Sequence, residues 1–125
     1  LEQEAAASSR MANTLSKRCK QAETSEKLEH IATILTKSCN KMKLISSLGY
    51  ERLLDSKDHC DERILSSLID LDSEISTNMK NIYDTLKLIH PMSQNNDYYC
   101  AETIYLLQEL DIAIRKRTKL TKTKN

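Results

Sequence analysis

The chain has 125 residues, a formal net charge of +1 and 39% hydrophobic residues, one domain's worth of protein with no global field to draw it to nucleic acid or a membrane surface. One glycine and one proline leave almost no punctuation for hairpins, and Phe, Trp and Val are absent while Leu, Lys, Glu, Ala and Ser abound. That balance excludes a β-rich fold. It predicts an all-α protein of three to four long amphipathic helices, arranged as an antiparallel bundle or an elongated coiled coil.

The opening residues 1–10 include Ala5, Ala6, Ala7, Ser8 and Ser9 and no initiator Met. They read as an added linker or a disordered N-terminus, with Met11 as the natural start of a helical domain over 11–117. Met11, Leu15, Cys19 and Ala22 then fall at helical spacing. The phase slips around Glu23–Glu26, as a short break or a stutter in one continuous helix. Leu28, Ile31, Ala32, Leu35, Cys39 and Met42 form a second stripe, and Gly49 supplies the natural left-handed cap for a helix ending near Leu48.

A third helix is expected from about Tyr50 to Ile89. Its apolar residues Ile64, Leu68, Leu71, Ile75, Met79, Ile82, Leu86 and Ile89 lie within about 80° of one another at 100° per residue. This narrow, long seam suits a partner helix. Pro91 disfavours helical geometry at His90 and ends the segment. Met92–Asp97 is a polar loop, and Asn96 or Asp97 can cap a last helix from about Tyr98 to Arg117. That helix is apolar on two sides: Cys100, Leu107, Leu110 and Ile114 on one, Ala101, Tyr105 and Ile112 on the other. Such a helix needs more than one packing partner, so Tyr105 and Ile112 join the seam as candidate interface residues. Residues 118–125 are expected to be a basic flexible tail.

Charge is segregated along the chain. Tyr50–Ile75 carries eight acidic and three basic residues, whereas Arg115–Lys124 carries six basic residues and no acid. Arg115, Lys116, Arg117, Lys119 and Lys122 are therefore candidates for contact with an anionic partner. Without interleaved aromatics the run lacks a stacking platform for single-stranded nucleic acid, which ranks nucleic-acid binding low.

Catalytic furniture is missing from the pattern. Asp58, His59, Cys60, Asp61 and Glu62 are all potential metal ligands, but successive helical residues diverge by 100° and cannot converge on one ion. A solvated acidic face is the better reading, and no metal or other cofactor is expected. Cys100 has no base or oxyanion donor beside it in the sequence, and a lone glycine cannot build a phosphate-binding loop. No catalytic residue and no small-molecule substrate are assigned.

Cys19, Cys39, Cys60 and Cys100 each lie on or beside an apolar helical stripe, where a free thiol acts as a small buried hydrophobe. With no signal-peptide pattern, reduced cysteines in an intracellular protein are expected. No apolar run approaches the roughly 18 residues that span a bilayer. The expected function is a non-enzymatic helical interaction module, a structural or adaptor subunit that assembles with itself or with other helical chains. Two rivals remain: a secreted four-helix cytokine-like ligand held by two disulfides, and binding of an acidic partner or nucleic acid through the basic tail.

Overall fold

The computed structural model describes residues 1–19, 22–55 and 62–122, with side chains described throughout these except at 22, 41–55, 62, 64–65 and 121–122. Four helices follow in chain order: α1 (Glu2–Arg18), α2 (Ala22–Asp55), α3 (Glu62–Leu86) and α4 (Asn96–Lys122). No strand occurs among the described residues. The protein is an all-α bundle.

Helix α1 starts nine residues before Met11, so residues 2–10 belong to a packed helix and not to a disordered segment. Ala5, Ala6 and Ala7 are the strongest helix formers, and Ala5, Ser8, Ala12 and Leu15 are its buried residues. Three of these four are small, which lets the α1 backbone come close to a neighbour. Ser8 Oγ donates to the Met79 carbonyl of α3 at 3.2 Å.

The phase slip after Cys19 is a true break. Cys19 has extended backbone, with φ −74° and ψ 119°, and Ser25 Oγ donates to its carbonyl at 2.6 Å. Helix α2 then runs straight through Gly49 to Asp55, and no described glycine has positive φ. The expected helix end at Leu48 is thus absent. One interior glycine costs about 1 kcal/mol relative to alanine, too little to terminate a helix of 34 residues.

Helix α3 begins at Glu62 rather than near Tyr50, and it stops at Leu86. Beyond it the chain tightens, with Leu88 N donating to Thr85 O at 3.0 Å and Ile89 N to Leu86 O at 3.1 Å. Pro91 explains the early stop: its ring would clash with the carbonyl four residues back, at Lys87, and it offers no N–H. Asn96 closes the following loop from inside. Its Nδ2 donates to His90 O at 3.0 Å, its Oδ1 accepts from His90 N at 3.3 Å, and the side chain is buried. It serves as a loop clasp instead of the helix cap the sequence suggests. Helix α4 continues to Lys122, so residues 118–122 are helical rather than a loose tail.

Helix α1 packs on α2 and α3, and α4 packs on the same two. The pair Ser9–Thr36, with hydroxyls 3.1 Å apart, and the contacts of Ser16 with Ser25 make α1 and α2 an antiparallel hairpin. Asp72 and Arg117 join the first half of α3 to the last turns of α4, a second antiparallel hairpin. Lys27 reaches Asp97 at 3.4 Å, which brings the starts of α2 and α4 together. The hairpins therefore pack with α1 parallel to α3 and α2 parallel to α4.

The core is aliphatic. Leu28, Ile31 and Leu35 of α2 meet Ile75, Met79, Ile82 and Leu86 of α3 and Leu110 of α4, all fully buried, with Ile89 closing the top. Each such side chain contributes roughly 1.5–3 kcal/mol when withdrawn from water. None of the described helices is long and apolar enough to cross a membrane.

Candidate interaction surface

Helix α4 has two apolar faces, divided as its sequence pattern requires. Cys100, Leu107, Leu110 and Ile114 point into the core. Tyr98, Tyr105 and Ile112 point outward, 66%, 55% and 47% exposed, and Ala101 and Gln108 are exposed between them. The outward set recurs at spacings of three and four residues and so forms a straight seam within about 80° of the helix circumference. From Tyr98 to Ile112 it covers about 21 Å of helix. Scattered apolar side chains are ordinary on a protein surface; a line of them in register is the form a second helix requires.

The seam is flanked by opposite charges at its two ends. Asp97 and Glu102 lie beside its first half, Glu109 and Asp111 beside its second, and exposed Arg115, Lys116 and Lys119 follow beyond its end. Within the chain, Asp97 meets Lys27 at 3.4 Å and Asp111 meets Arg115 at 2.9 Å. Both pairs are largely exposed and contribute little to stability. Asp97 holds the Lys27 ammonium above its usual range. Tyr98 and Tyr99 pack edge to face with ring centroids 5.7 Å apart, which orients Tyr98 at the start of the seam.

The α3 stripe expected to meet a partner is covered by the chain itself. Leu68, Ile75, Met79, Ile82, Leu86 and Ile89 have no exposed surface, because α1 and α4 both pack on α3. The seam is core, and only Leu71 among its described side chains keeps part of its surface. The Ile64 side chain lies outside the described residues. Of the two α4 residues assigned to the same interface, Tyr105 and Ile112, both are at the surface.

The basic run also divides. Arg115, Lys116 and Lys119 are exposed, and the side chain of Lys122 is outside the described residues. Arg117 is 1% exposed; its Nε and Nη2 donate to the two carboxylate oxygens of Asp72, the latter at 3.2 Å. The expectation that Arg117 reaches an anionic partner is corrected: the side chain lies on the inward face, three residues after Ile114, and its charge is met inside the protein. Lys116 and Lys119 instead border an apolar cleft of about 420 Å³ with Ser67, Leu71 and Leu120.

Cys19, Cys39 and Cys100 are buried free thiols. Burial pushes the Cys100 thiol up, opposed by Lys27 and reinforced by Asp97 and Cys19, and burial likewise raises Cys19. A thiol held protonated is the reverse of an activated nucleophile. Asp58–Asp61, with Cys60, lie outside the described residues; among the described residues no three His, Cys, Asp or Glu side chains gather as a metal site. Comparison with protein-family models, with curated proteins and with solved structures gives no match.

Proposed function

We propose that the chain is a non-enzymatic helical interaction module, a structural or adaptor subunit of an intracellular assembly. The observation that carries this reading is the outward seam of α4, where Tyr98, Tyr105 and Ile112 align on a helix whose opposite face is already spent on the core. Aromatic residues are enriched where proteins meet, and a line of them on a rigid, four-helix support presents a preformed surface to another helix. The free thiols of Cys19, Cys39 and Cys100 agree with a reducing compartment and lend nothing to a secreted ligand held by two disulfides. With Arg117 turned inward, the basic run supports tail-mediated nucleic-acid binding less well than its composition did.

A photoreactive phenylalanine at position 105, irradiated in extract of the native source, is expected to yield a discrete adduct with a helical protein. The same group at exposed Thr77 of α3 is the control. Equal labelling from both positions, or none from 105, sinks the proposal.

A further inference from the structure

The outer line of α4 does not stop at Ile112. Tyr98, Tyr105 and Ile112 recur every seven residues, and the next member of that series is Lys119. We infer that the occupant of this line is an amphipathic helix of a different protein, apolar along most of its length and acidic at the end that meets Lys116 and Lys119. The inference rests on the reading of the chain as a helical interaction module and adds the chemistry of the partner and its register.

Two observations meet at the end of the line. The first is charge. Lys116 and Lys119 are exposed, and neither makes an ion pair among the described residues. Their neighbours differ: Arg115 is met by Asp111 at 2.9 Å and Arg117 by Asp72. The second is shape. The two lysines border an apolar cleft of about 420 Å³, whose other walls are Ser67 and Leu71 of α3 and Leu120 of α4. Ser67 and Leu71 are four residues apart, as are Lys116 and Leu120, so the cleft runs for about 6 Å along either helix. That length receives the bulky side chains of a single turn, the form of an anchor pocket. Ammonium groups at its lip select an apolar anchor with carboxylates beside it.

The remaining charges define the rest of the partner. Glu102 and Glu109 stand on one flank of the line and lead, at the same seven-residue spacing, to Lys116; Asp97 and Asp111 stand on the other flank. The complementary helix therefore carries basic residues beside its apolar stripe and carboxylates only in its last turns. Across the cleft, the exposed charges of α3 nearest in sequence are Arg63, Asp70 and Glu74, and the two carboxylates keep an acidic end on the α4 side. A second copy of this chain would bring its own Glu109 and Asp111 to the middle of the line, carboxylate against carboxylate, so the partner is a different chain. From Tyr98 to Lys119 the line covers about 32 Å, which asks for roughly six turns of partner helix.

Fluorescence anisotropy of the full chain with two labelled synthetic helices, each of about 22 residues, tests this. Both carry Leu at the heptad seam positions and Lys on the flanks; one ends in Glu residues and the other in Lys residues. The acid-ended helix is expected to bind roughly tenfold more tightly than its lysine-ended counterpart, and the difference is expected to shrink as salt is raised. Lys116→Glu with Lys119→Glu is expected to reverse the preference, a result that loss of fold would not give. Tyr105→Glu is expected to weaken both helices roughly tenfold. Binding of neither helix, equal binding of both, or a preference unmoved by the lysine variant overturns the inference. Self-association of the pure chain that excludes both helices also overturns it and assigns the line to a second copy. Any of these outcomes, with an adduct still formed from position 105, leaves the module reading standing; loss of that adduct is what removes it.

Discussion

At the scale of single residues, the buried pair of Arg117 and Asp72 is the most consequential polar feature of the bundle. Arg117 is 1% exposed and Asp72 15%, so the two charges meet largely out of water. Desolvating both offsets much of their attraction, and a pair of this kind is weak evidence for net stability. Its energetics are asymmetric. Removing Asp72 takes away the carboxylate that accepts from Nε and Nη2 of Arg117, a guanidinium that cannot lose its proton. Asp72→Ala is therefore expected to destabilise the fold by about 1.5–3 kcal/mol, whereas Arg117→Met, which keeps the apolar stem and leaves a carboxylate closer to solvent, should cost distinctly less. Chemical denaturation of both variants checks the order, and equal losses would mean that the pair does not dominate this site.

At the scale of helices, the packing of α1 on its neighbours, α3 among them, depends on small side chains. Ala5, Ser8 and Ala12 are all fully buried, and the hydrogen bond from Ser8 to the Met79 carbonyl at 3.2 Å measures how near the two helices run. Met79 O is an acceptor with a second lone pair, so Ser8→Ala should lose only about 1 kcal/mol. Ser8→Leu inserts a branched side chain where there is no room, and a loss of about 1–3 kcal/mol is expected. Thermal melts of the two variants distinguish them; a Leu variant as stable as the Ala variant would show that the helices can part freely.

The same scale shows what periodicity could and could not reveal. The two faces of α4 were legible because inward Cys100, Leu107, Leu110 and Ile114 and outward Ala101, Tyr105 and Ile112 differ in helical phase. The α3 stripe was legible as an apolar seam, but a seam that meets a partner and one that meets α1 read alike, since period encodes the face and not its neighbour. Helix ends were legible at Pro91, where the chemistry is obligatory, and not at Gly49, where it is only permissive. Arg117 was obscured by the cations around it. A signal existed: Asp72 interrupts the α3 stripe four residues after Leu68 and three before Ile75, and Arg117 follows Ile114 by three on the inward face. A carboxylate and a guanidinium each sitting in an apolar phase mark a buried pair.

At the scale of the whole molecule, the bundle is two antiparallel hairpins whose faces meet, and the parallel contacts between them join segments far apart in the chain. Ser8 touches Met79 and Lys27 touches Asp97, separations of 71 and 70 residues that no local pattern reports. One consequence concerns the first ten residues. If α1 merely decorated an otherwise complete three-helix fold, deleting residues 1–10 would leave stability unchanged. The structure seats Ser8 on α3 at Met79 and buries Ala5 fully in the core, so the deletion uncovers Met79 and the apolar side chains beside it while leaving less than half of α1 to cover them. Each of those side chains loses part of the roughly 1.5–3 kcal/mol that full burial supplies, and the hairpin α1–α2 loses half its length. The deletion is expected to lower stability by about 3 kcal/mol and to raise binding of a dye that reports exposed apolar surface. An unaltered melting temperature with no gain in dye fluorescence would show that α2, α3 and α4 close the core without α1, and that the opening segment is dispensable to the fold.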